Sequence, residues 1–133
     1  LRNGASGMMA LDRSAWGRKG RIAMQVFGSK GTIAYDQERM NEFQLFEASA
    51  PAAEQGFRTI LTAPVHAPYD RFIPAPGHGL GFNELKIIEC HELLKAIGGD
   101  AAAQIVGFDK GLEIERAVHA MAQSHREARW VAV

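Results

Sequence analysis

The feature that most constrains the fold is a change of hydrophobic period near residue 80. Before it, Ile22, Met24 and Val26 alternate with Ala23 and Gln25, which is the period of a half-buried strand. Strands are predicted at residues 5–14, 21–27, 32–35, 43–46 and 57–62. Because short turns join most of these strands, the sheet is predicted to be open and mostly antiparallel.

Two amphipathic helices are predicted after residue 80. Residues 82–97 place their apolar side chains in one arc of a helical wheel, and Gly98-Gly99 supplies a C-terminal stop. A second helix is predicted over residues 109–126, and residues 129–133 are predicted as a last strand. Cys90 and His125 fall on the apolar side of these helices, so both are predicted to be buried. The fold class is therefore α+β, with two main helices packed on one face of the sheet and the other face free for subunit contact.

Composition excludes several classes of function for a chain of 133 residues, a length that predicts a single domain. The 15 basic residues balance the 15 acidic ones, so neither a nucleic-acid surface nor a polybasic membrane anchor is expected. No apolar run approaches the roughly 20 residues of a membrane helix. The single cysteine, Cys90, predicts a reducing, cytoplasmic setting. The opening Leu1-Arg2-Asn3-Gly4 lacks a methionine and is typical of a strand interior, so we expect the chain to be a fragment of something longer.

Glycine-rich and histidine-containing stretches offer no complete catalytic or metal motif. Gly77-His78-Gly79-Leu80-Gly81 lacks the final glycine of a dinucleotide fingerprint, and Gly28-Ser29-Lys30-Gly31 is predicted to be a hairpin turn. The 5 histidines have no zinc-ligand spacing. Residues 64–81 are rich in proline and glycine and show no periodicity, which predicts a long loop. That loop is either functional or a connection that carries the chain around the sheet.

Several short phrases, spread over nearly the whole chain, carry a family resemblance. They are Asn3-Gly4-Ala5-Ser6-Gly7, Arg13-Ser14-Ala15-Trp16-Gly17, Phe27-Gly28-Ser29-Lys30-Gly31-Thr32-Ile33-Ala34-Tyr35-Asp36, Glu38-Arg39-Met40-Asn41-Glu42, Pro76-Gly77-His78-Gly79-Leu80-Gly81, Phe108-Asp109-Lys110-Gly111-Leu112 and Arg129-Trp130-Val131. In their order and spacing they resemble the C-terminal half of the Gfo/Idh/MocA oxidoreductases, the group of inositol dehydrogenases and glucose–fructose oxidoreductase. The glycine-flanked hairpin and the tryptophan after the last helix weigh most.

The resemblance implies a parent enzyme whose N-terminal Rossmann domain, absent from this chain, holds NAD or NADP. Residues 1–133 would be a single C-terminal domain for substrate binding and oligomerisation. Contact through the sheet face would give a homodimer or a tetramer. The implied substrate is a sugar, a polyol or a related ketone. No cofactor is expected to bind this chain alone.

The family's catalytic residues are not found in this sequence. The lysine of a Glu-Lys-Pro sequence belongs to the missing half, and no aspartate is followed four residues later by a histidine. This chain alone is therefore not expected to be catalytic. Candidate substrate-facing residues are Arg13, Trp16, Arg18, Tyr69, Asp70 and His78, each of which could instead have only a surface or loop-anchoring role. The alternative function is a stand-alone, non-catalytic binding or assembly module with the same fold.

Overall fold

A computed structural model describes residues 4–133, which divide into two compact units. The first unit extends to Leu80 and contains a four-stranded antiparallel sheet; the second, Gly81–Val133, contains two helices. The predicted α+β class is therefore confirmed. The single-domain organisation and the packing of the helices on the sheet stay predictions.

The sheet is a meander in which each strand pairs with the next one along the chain. Its strands are β1 (Ala23–Gly28), β2 (Gly31–Asp36), β3 (Glu42–Glu47) and β4 (Arg58–Leu61), in that spatial order. All three pairings are antiparallel, as predicted from the short connections. The strand bounds differ from the predicted ones by one or two residues.

The predicted hairpin turn between β1 and β2 is confirmed. Gly28 pairs with Gly31, which leaves Ser29-Lys30 as a two-residue loop. Neither glycine has a positive φ. A Cβ on Gly31 would overlap the carbonyl oxygen of Phe46 on β3. Glycine is required at this position because the two strands approach closely there.

Cross-strand register sorts the side chains of the sheet into two faces. Gln25, Ala34, Gln44 and Thr59 form one row across all four strands, and Gln44 Nε2 donates to Thr59 Oγ1 at 2.9 Å. We call the face that carries this row the mixed face, since the register also places Ala23, Phe27, Thr32, Asp36, Glu42, Phe46 and Leu61 on it. The opposite face is mostly apolar, with Met24, Val26, Ile33, Tyr35, Phe43, Leu45 and Ile60, and it also carries the ion pair of Glu47 with Arg58.

Both predicted helices are present. The first, α1, spans Phe82–Ile97 as predicted, and the second, α2 (Phe108–Glu127), is one residue longer at each end than predicted. The end of α1 at the glycine pair is confirmed: Gly99 has a φ of +85°, and the Gly98 N–H donates to the Leu94 carbonyl at 2.9 Å. In the described part of the chain, no helix is long and apolar enough to cross a membrane.

Two predicted strands are wrong. Residues 5–14 and 129–133 have no strand hydrogen bonding in the described part of the chain. An isolated extended segment leaves its backbone groups to water, and a strand forms only where a partner strand satisfies them. The side chains of Met8 and Trp130 are each 97% exposed. The predicted strand character of residues 1–3 lies outside the described residues.

The predicted burial of Cys90 and His125 is also wrong, because both residues are exposed. The less exposed residues of α1 are instead the buried Glu92 and the half-buried Glu84, Leu85, Ile88, His91, Lys95 and Ala96. The Glu92 carboxylate accepts a hydrogen bond from the Gln104 N–H at 2.7 Å, which draws the α1–α2 connection against the helix.

Candidate substrate-facing site

Residues 63–80 form the long loop predicted after the last strand, and short-range hydrogen bonds fold it back on itself. The Ala63 N–H donates to His66 Nδ1 at 3.1 Å, and the His66 N–H donates to the Ala63 carbonyl at 2.9 Å. Ile73 and Leu80, both in this loop, are 3% and 5% exposed. These are the only buried apolar residues between residues 4 and 133. The loop is therefore held both by local hydrogen bonds and by the burial of two of its apolar side chains.

The exposed His78 side chain lies near the end of this loop, with its protonation pattern set by the backbone. Its Nδ1 is 3.2 Å from the Ala75 carbonyl oxygen. A carbonyl oxygen only accepts, so Nδ1 carries the hydrogen of this bond. In the neutral ring, Nε2 then keeps a free lone pair. Such a nitrogen can accept a hydrogen bond from a hydroxyl group.

His66 has the opposite arrangement within the same loop. Its Nδ1 accepts from the Ala63 N–H, so in the neutral ring the hydrogen is on Nε2. The two loop histidines therefore present different outward groups, a donor at His66 and an acceptor at His78. Sequence alone does not distinguish these two roles.

Tyr69 begins a single helical turn, Tyr69–Arg71, from which Asp70 is exposed to solvent. The Tyr69 carbonyl accepts from the N–H groups of Phe72 at 3.0 Å and Ile73 at 2.9 Å. This bonding orients the turn against the buried Ile73. The turn and His78 thus place a phenol, a carboxylate and an imidazole acceptor on one loop, which are groups suited to hydroxyl-rich ligands.

Tyr35 on β2 is a neighbour of this turn that the sequence predictions did not single out. Partial burial raises the pKa of the Tyr35 phenol, and the nearby Tyr69 and Asp36 raise it further when they carry negative charge. The phenol therefore keeps its proton and can both donate and accept. The signal that could have identified it is a tyrosine among apolar residues on an inward-facing strand position.

The other predicted substrate residues lie on the segment before β1, and one of them has a clear structural partner. Arg18 Nη1 lies 3.1 Å from Glu38 Oε2. The N–H groups of Lys19 and Gly20 donate to the other carboxylate oxygen of Glu38, at 2.7 and 3.3 Å. These bonds, with that of Lys19 first, lower the pKa of Glu38. Arg18 therefore helps to fasten this turn.

Arg13 and Trp16 are exposed on the same segment, with Trp16 at 99%. Asp12 Oδ1 accepts from the Ser14 hydroxyl at 2.8 Å and from its N–H at 2.7 Å, and these bonds lower the pKa of Asp12. The resulting turn defines the backbone next to Arg13. Substrate contact by the two predicted groups of residues, before β1 and in the loop, stays a prediction.

Neither a metal centre nor a dinucleotide loop is built from the described residues. Residues 4–133 hold no group of three or more His, Cys, Asp or Glu side chains that could bind a metal ion. The glycine-rich stretch at 77–81 leads into α1, but the strand before it, β4, belongs to an antiparallel sheet. A pyrophosphate loop needs a parallel strand that feeds directly into the helix N-terminus.

The sequence is similar to that of levoglucosan dehydrogenase from Pseudarthrobacter phenanthrenivorans. The two are 36% identical over 133 residues, which take in 98% of this chain and 33% of the dehydrogenase. No protein-family model matches the chain. The chain thus spans about a third of the length of this curated relative.

Solved structures agree with the sequence comparison. Levoglucosan dehydrogenase in complex with NADH and levoglucosan superimposes with a TM-score of 0.85 at 35% identity, over 91% of this chain and 33% of that one. An oxidoreductase domain protein from Kribbella flavida has a TM-score of 0.81 at 34% identity, over 89% and 30% of the two chains. An NAD-binding oxidoreductase from Klebsiella pneumoniae has a TM-score of 0.78 at 31% identity, over 90% and 32%. This chain is homologous to the C-terminal third of levoglucosan dehydrogenase, a Gfo/Idh/MocA-type oxidoreductase.

Proposed function

We propose that this chain supplies substrate contacts and a subunit interface to an NAD-dependent dehydrogenase that acts on a sugar, a polyol or a related ketone. The observation that carries the proposal is homology over 98% of the chain to levoglucosan dehydrogenase, for which solved structures hold NADH with levoglucosan or with L-sorbose. The glycine-rich stretch of this chain does not fit a dinucleotide. In this proposal the cofactor site and the proton-transfer residues are supplied by the rest of the dehydrogenase.

The loop 63–80 is the part of this chain that we assign to substrate. Tyr69, Asp70 and His78 supply hydrogen-bonding groups of different types on one ordered backbone, as recognition of several hydroxyl groups requires. Trp16, Arg13 and Arg18 form the second proposed contact group, where an exposed indole offers an apolar face for a sugar ring. The cytoplasmic location predicted from the single cysteine is part of the same proposal.

The test is enzymatic and uses the complete polypeptide encoded by the gene. NADH formation is followed by absorbance with levoglucosan, L-sorbose and inositol as trial substrates. We expect sugar-dependent reduction of NAD. A gene product that binds NAD but oxidises or reduces no carbohydrate would overturn the dehydrogenase assignment. A complete gene product limited to this chain would establish the stand-alone module instead.

The loop assignment is tested by His78→Ala in the complete polypeptide, with His119→Ala as the matched control. The His119 side chain is 82% exposed on α2. Loss of one hydrogen bond to substrate predicts a rise in KM of about threefold to tenfold for His78→Ala, since each factor of ten corresponds to about 1.4 kcal/mol. The control should leave KM unchanged. Equal KM values in the two variants would contradict substrate contact by the loop.

The subunit interface is assigned to the mixed face of the sheet. Its central row of Gln25, Ala34, Gln44 and Thr59 is polar apart from the alanine, while Phe27 at the edge is 74% exposed. A face of this mixed composition suits contact between two sheets related by a two-fold axis. The proposed assembly is a homodimer, or a tetramer formed from two such dimers.

Light scattering on the complete polypeptide tests this interface. We expect a mass of at least two chains for the wild type, and a reduced mass for Ala34→Arg, which places an unpaired charge at the centre of the face. Ala101→Arg, at an exposed position in the α1–α2 connection, is the matched control. A monomeric wild type, or an Ala34→Arg variant of unchanged mass, would refute the assignment.

A further inference from the structure

One asparagine ties both ends of the loop 63–80 to the sheet. The backbone carbonyl of Asn41, just before β3, accepts from the Thr62 N–H at 2.8 Å and from the Thr62 hydroxyl at 3.1 Å. Its side chain bonds to the other end of the loop: Oδ1 accepts from the Leu80 N–H at 2.7 Å, and Nδ2 donates to the Leu80 carbonyl at 2.9 Å. A single residue thus brings together the two ends of an 18-residue segment.

The side-chain amide of Asn41 reproduces the pairing of a β-strand. It offers one donor and one acceptor to the N–H and C=O of a single residue, as a neighbouring strand would. An aspartate has the same length, but in its ionised form it offers only acceptors. The arrangement fixes position and orientation of the Leu80 backbone together, because both bonds must be made in one plane.

Gly79 makes this close approach possible. A Cβ at this position would lie 2.7 Å from Asn41 Nδ2 and 2.8 Å from Cγ. Such contacts are closer than carbon and nitrogen atoms tolerate, so the amide and an alanine at 79 cannot keep their present places. The φ of Gly79 is not in the left-handed region, so its role is to leave space rather than to allow an unusual backbone.

The burial of Leu80 makes its two hydrogen bonds with Asn41 more important for stability. The Leu80 side chain is 5% exposed, so its backbone polar groups need partners other than bulk water. Loss of the Asn41 amide would leave a donor and an acceptor unsatisfied beside a buried side chain. The segments around Asn41 and Gly79, which lie far apart in the sequence, are therefore joined by these hydrogen bonds.

We propose that Asn41 is a positioning residue for substrate binding, which acts by closing the loop that carries Tyr69, Asp70 and His78. The inference rests on the proposed function, because it assumes that this loop contacts the carbohydrate. Asn41 itself touches no substrate. Its two side-chain bonds and the space left by Gly79 set the place of His78 two residues before the anchored Leu80.

The test is a double-mutant cycle in the complete dehydrogenase with Asn41→Ala, Gly79→Ala and the double variant. Asn41→Ala should raise KM for the carbohydrate about tenfold, whereas KM for NAD should stay unchanged. Gly79→Ala should have a similar effect because it displaces the same amide. The double variant should be no worse than Asn41→Ala, because with a short side chain at 41 the added methyl meets no obstacle. Additive effects of the two substitutions would overturn the proposal.

A second measurement follows the loop directly and does not depend on activity. Hydrogen exchange at the Leu80 amide should be about tenfold faster in Asn41→Ala, and cleavage between residues 63 and 80 by a protease should be faster too. Asn83→Ala, at an exposed position in the first turn of α1, is the matched control and should change neither rate. Unchanged exchange at Leu80 in Asn41→Ala would refute the anchoring role.

The two proposals fail in different ways. If His78→Ala leaves KM unchanged while Asn41→Ala speeds exchange, the loop is anchored but does not bind substrate, which overturns the substrate assignment together with the positioning role. If His78→Ala raises KM while the Asn41 and Gly79 variants do not, only the role of Asn41 is overturned. Elevated KM in all three, with non-additivity between positions 41 and 79, is the expected result.

Discussion

The two units of the chain bury different kinds of side chain. The long loop of the first unit is held by apolar and neutral groups, whereas the α1–α2 connection of the second unit is held by a charged one. In the first unit Ile73 and Leu80 of the loop 63–80 are buried, and the neutral side-chain amide of Asn41 binds the Leu80 backbone. In the second unit the buried residue of α1 is Glu92, which as a whole residue is 8% exposed. Its carboxylate accepts from the Gln104 N–H and from Lys95 Nζ, the latter at 3.0 and 3.1 Å. Apolar burial and an amide contact do not titrate, whereas a buried carboxylate holds its partners more strongly when it is ionised than when it is protonated.

The largest effect is expected at Leu80. Leu80→Ala should lower the free energy of unfolding by about 2–5 kcal/mol, because a buried leucine loses its contacts and leaves a cavity. Val65→Ala, in the same loop, is the control: Val65 is 83% exposed and its loss should cost less than about 0.5 kcal/mol. Denaturant unfolding measures both. Similar losses for the two variants would show that apolar burial does not hold this loop.

A pH-dependent effect is expected at Glu92. The hydrogen bond from Gln104, followed by that from Lys95, lowers the pKa of Glu92 below its ordinary value of 4.5. The folded pKa is the lower one, so the contribution of Glu92 to stability is present in full well above pH 4.5 and is lost as the pH falls through the folded value. Glu92→Gln should therefore be less stable than wild type at neutral pH, and the difference should shrink on acidification.

Thermal unfolding between neutral pH and about pH 3 measures this difference. Glu89→Gln is the control in the same helix, because the Glu89 side chain is 68% exposed and pairs only at the surface, with Lys86. We expect little change from the control. A gap between wild type and Glu92→Gln that stays constant with pH would contradict the role of the charge.

The smallest effect is expected at Glu38, the carboxylate that fastens the turn before β1. Its side chain is 25% exposed, against 11% for Glu92, so water screens its contacts more strongly. Glu38→Gln should speed hydrogen exchange at the Lys19 amide, with a smaller loss of thermal stability than Glu92→Gln. Because the pKa of Glu38 is also lowered, this loss should diminish with acid in the same direction. A larger loss than that of Glu92→Gln would reverse the comparison of the two units.

Local patterns in the sequence were sufficient to predict those elements whose hydrogen bonds lie within a short stretch of chain. Helix α1 matched its prediction because helical bonds connect residues four apart and the stop at Gly98-Gly99 is local. The β1–β2 hairpin matched because two residues close it. The segments 5–14 and 129–133 failed because strands need a partner that the sequence of the segment does not specify.

The candidate site residues also differ in how far the sequence alone could identify them. Composition and family phrases pointed to the loop that carries Tyr69, Asp70 and His78, since proline and glycine mark a loop wherever they cluster. They did not reveal the opposite roles of the histidine nitrogens, nor the place of Tyr35 beside the turn. Those depend on which carbonyl or amide lies within hydrogen-bonding distance after the chain has folded.

Residue types and their spacing along the chain were enough to establish the α+β class, the antiparallel pairing of the sheet, both helices and the position of the long loop. The contacts of Asn41 with Leu80 and of Glu92 with Gln104 were decided only in the folded molecule. The reason is physical: hydrophobic period reports which side of an element avoids water, and it applies to every residue of the element. A single buried hydrogen bond between distant residues produces no periodic pattern in the sequence. It forms only once folding has brought the two backbones together.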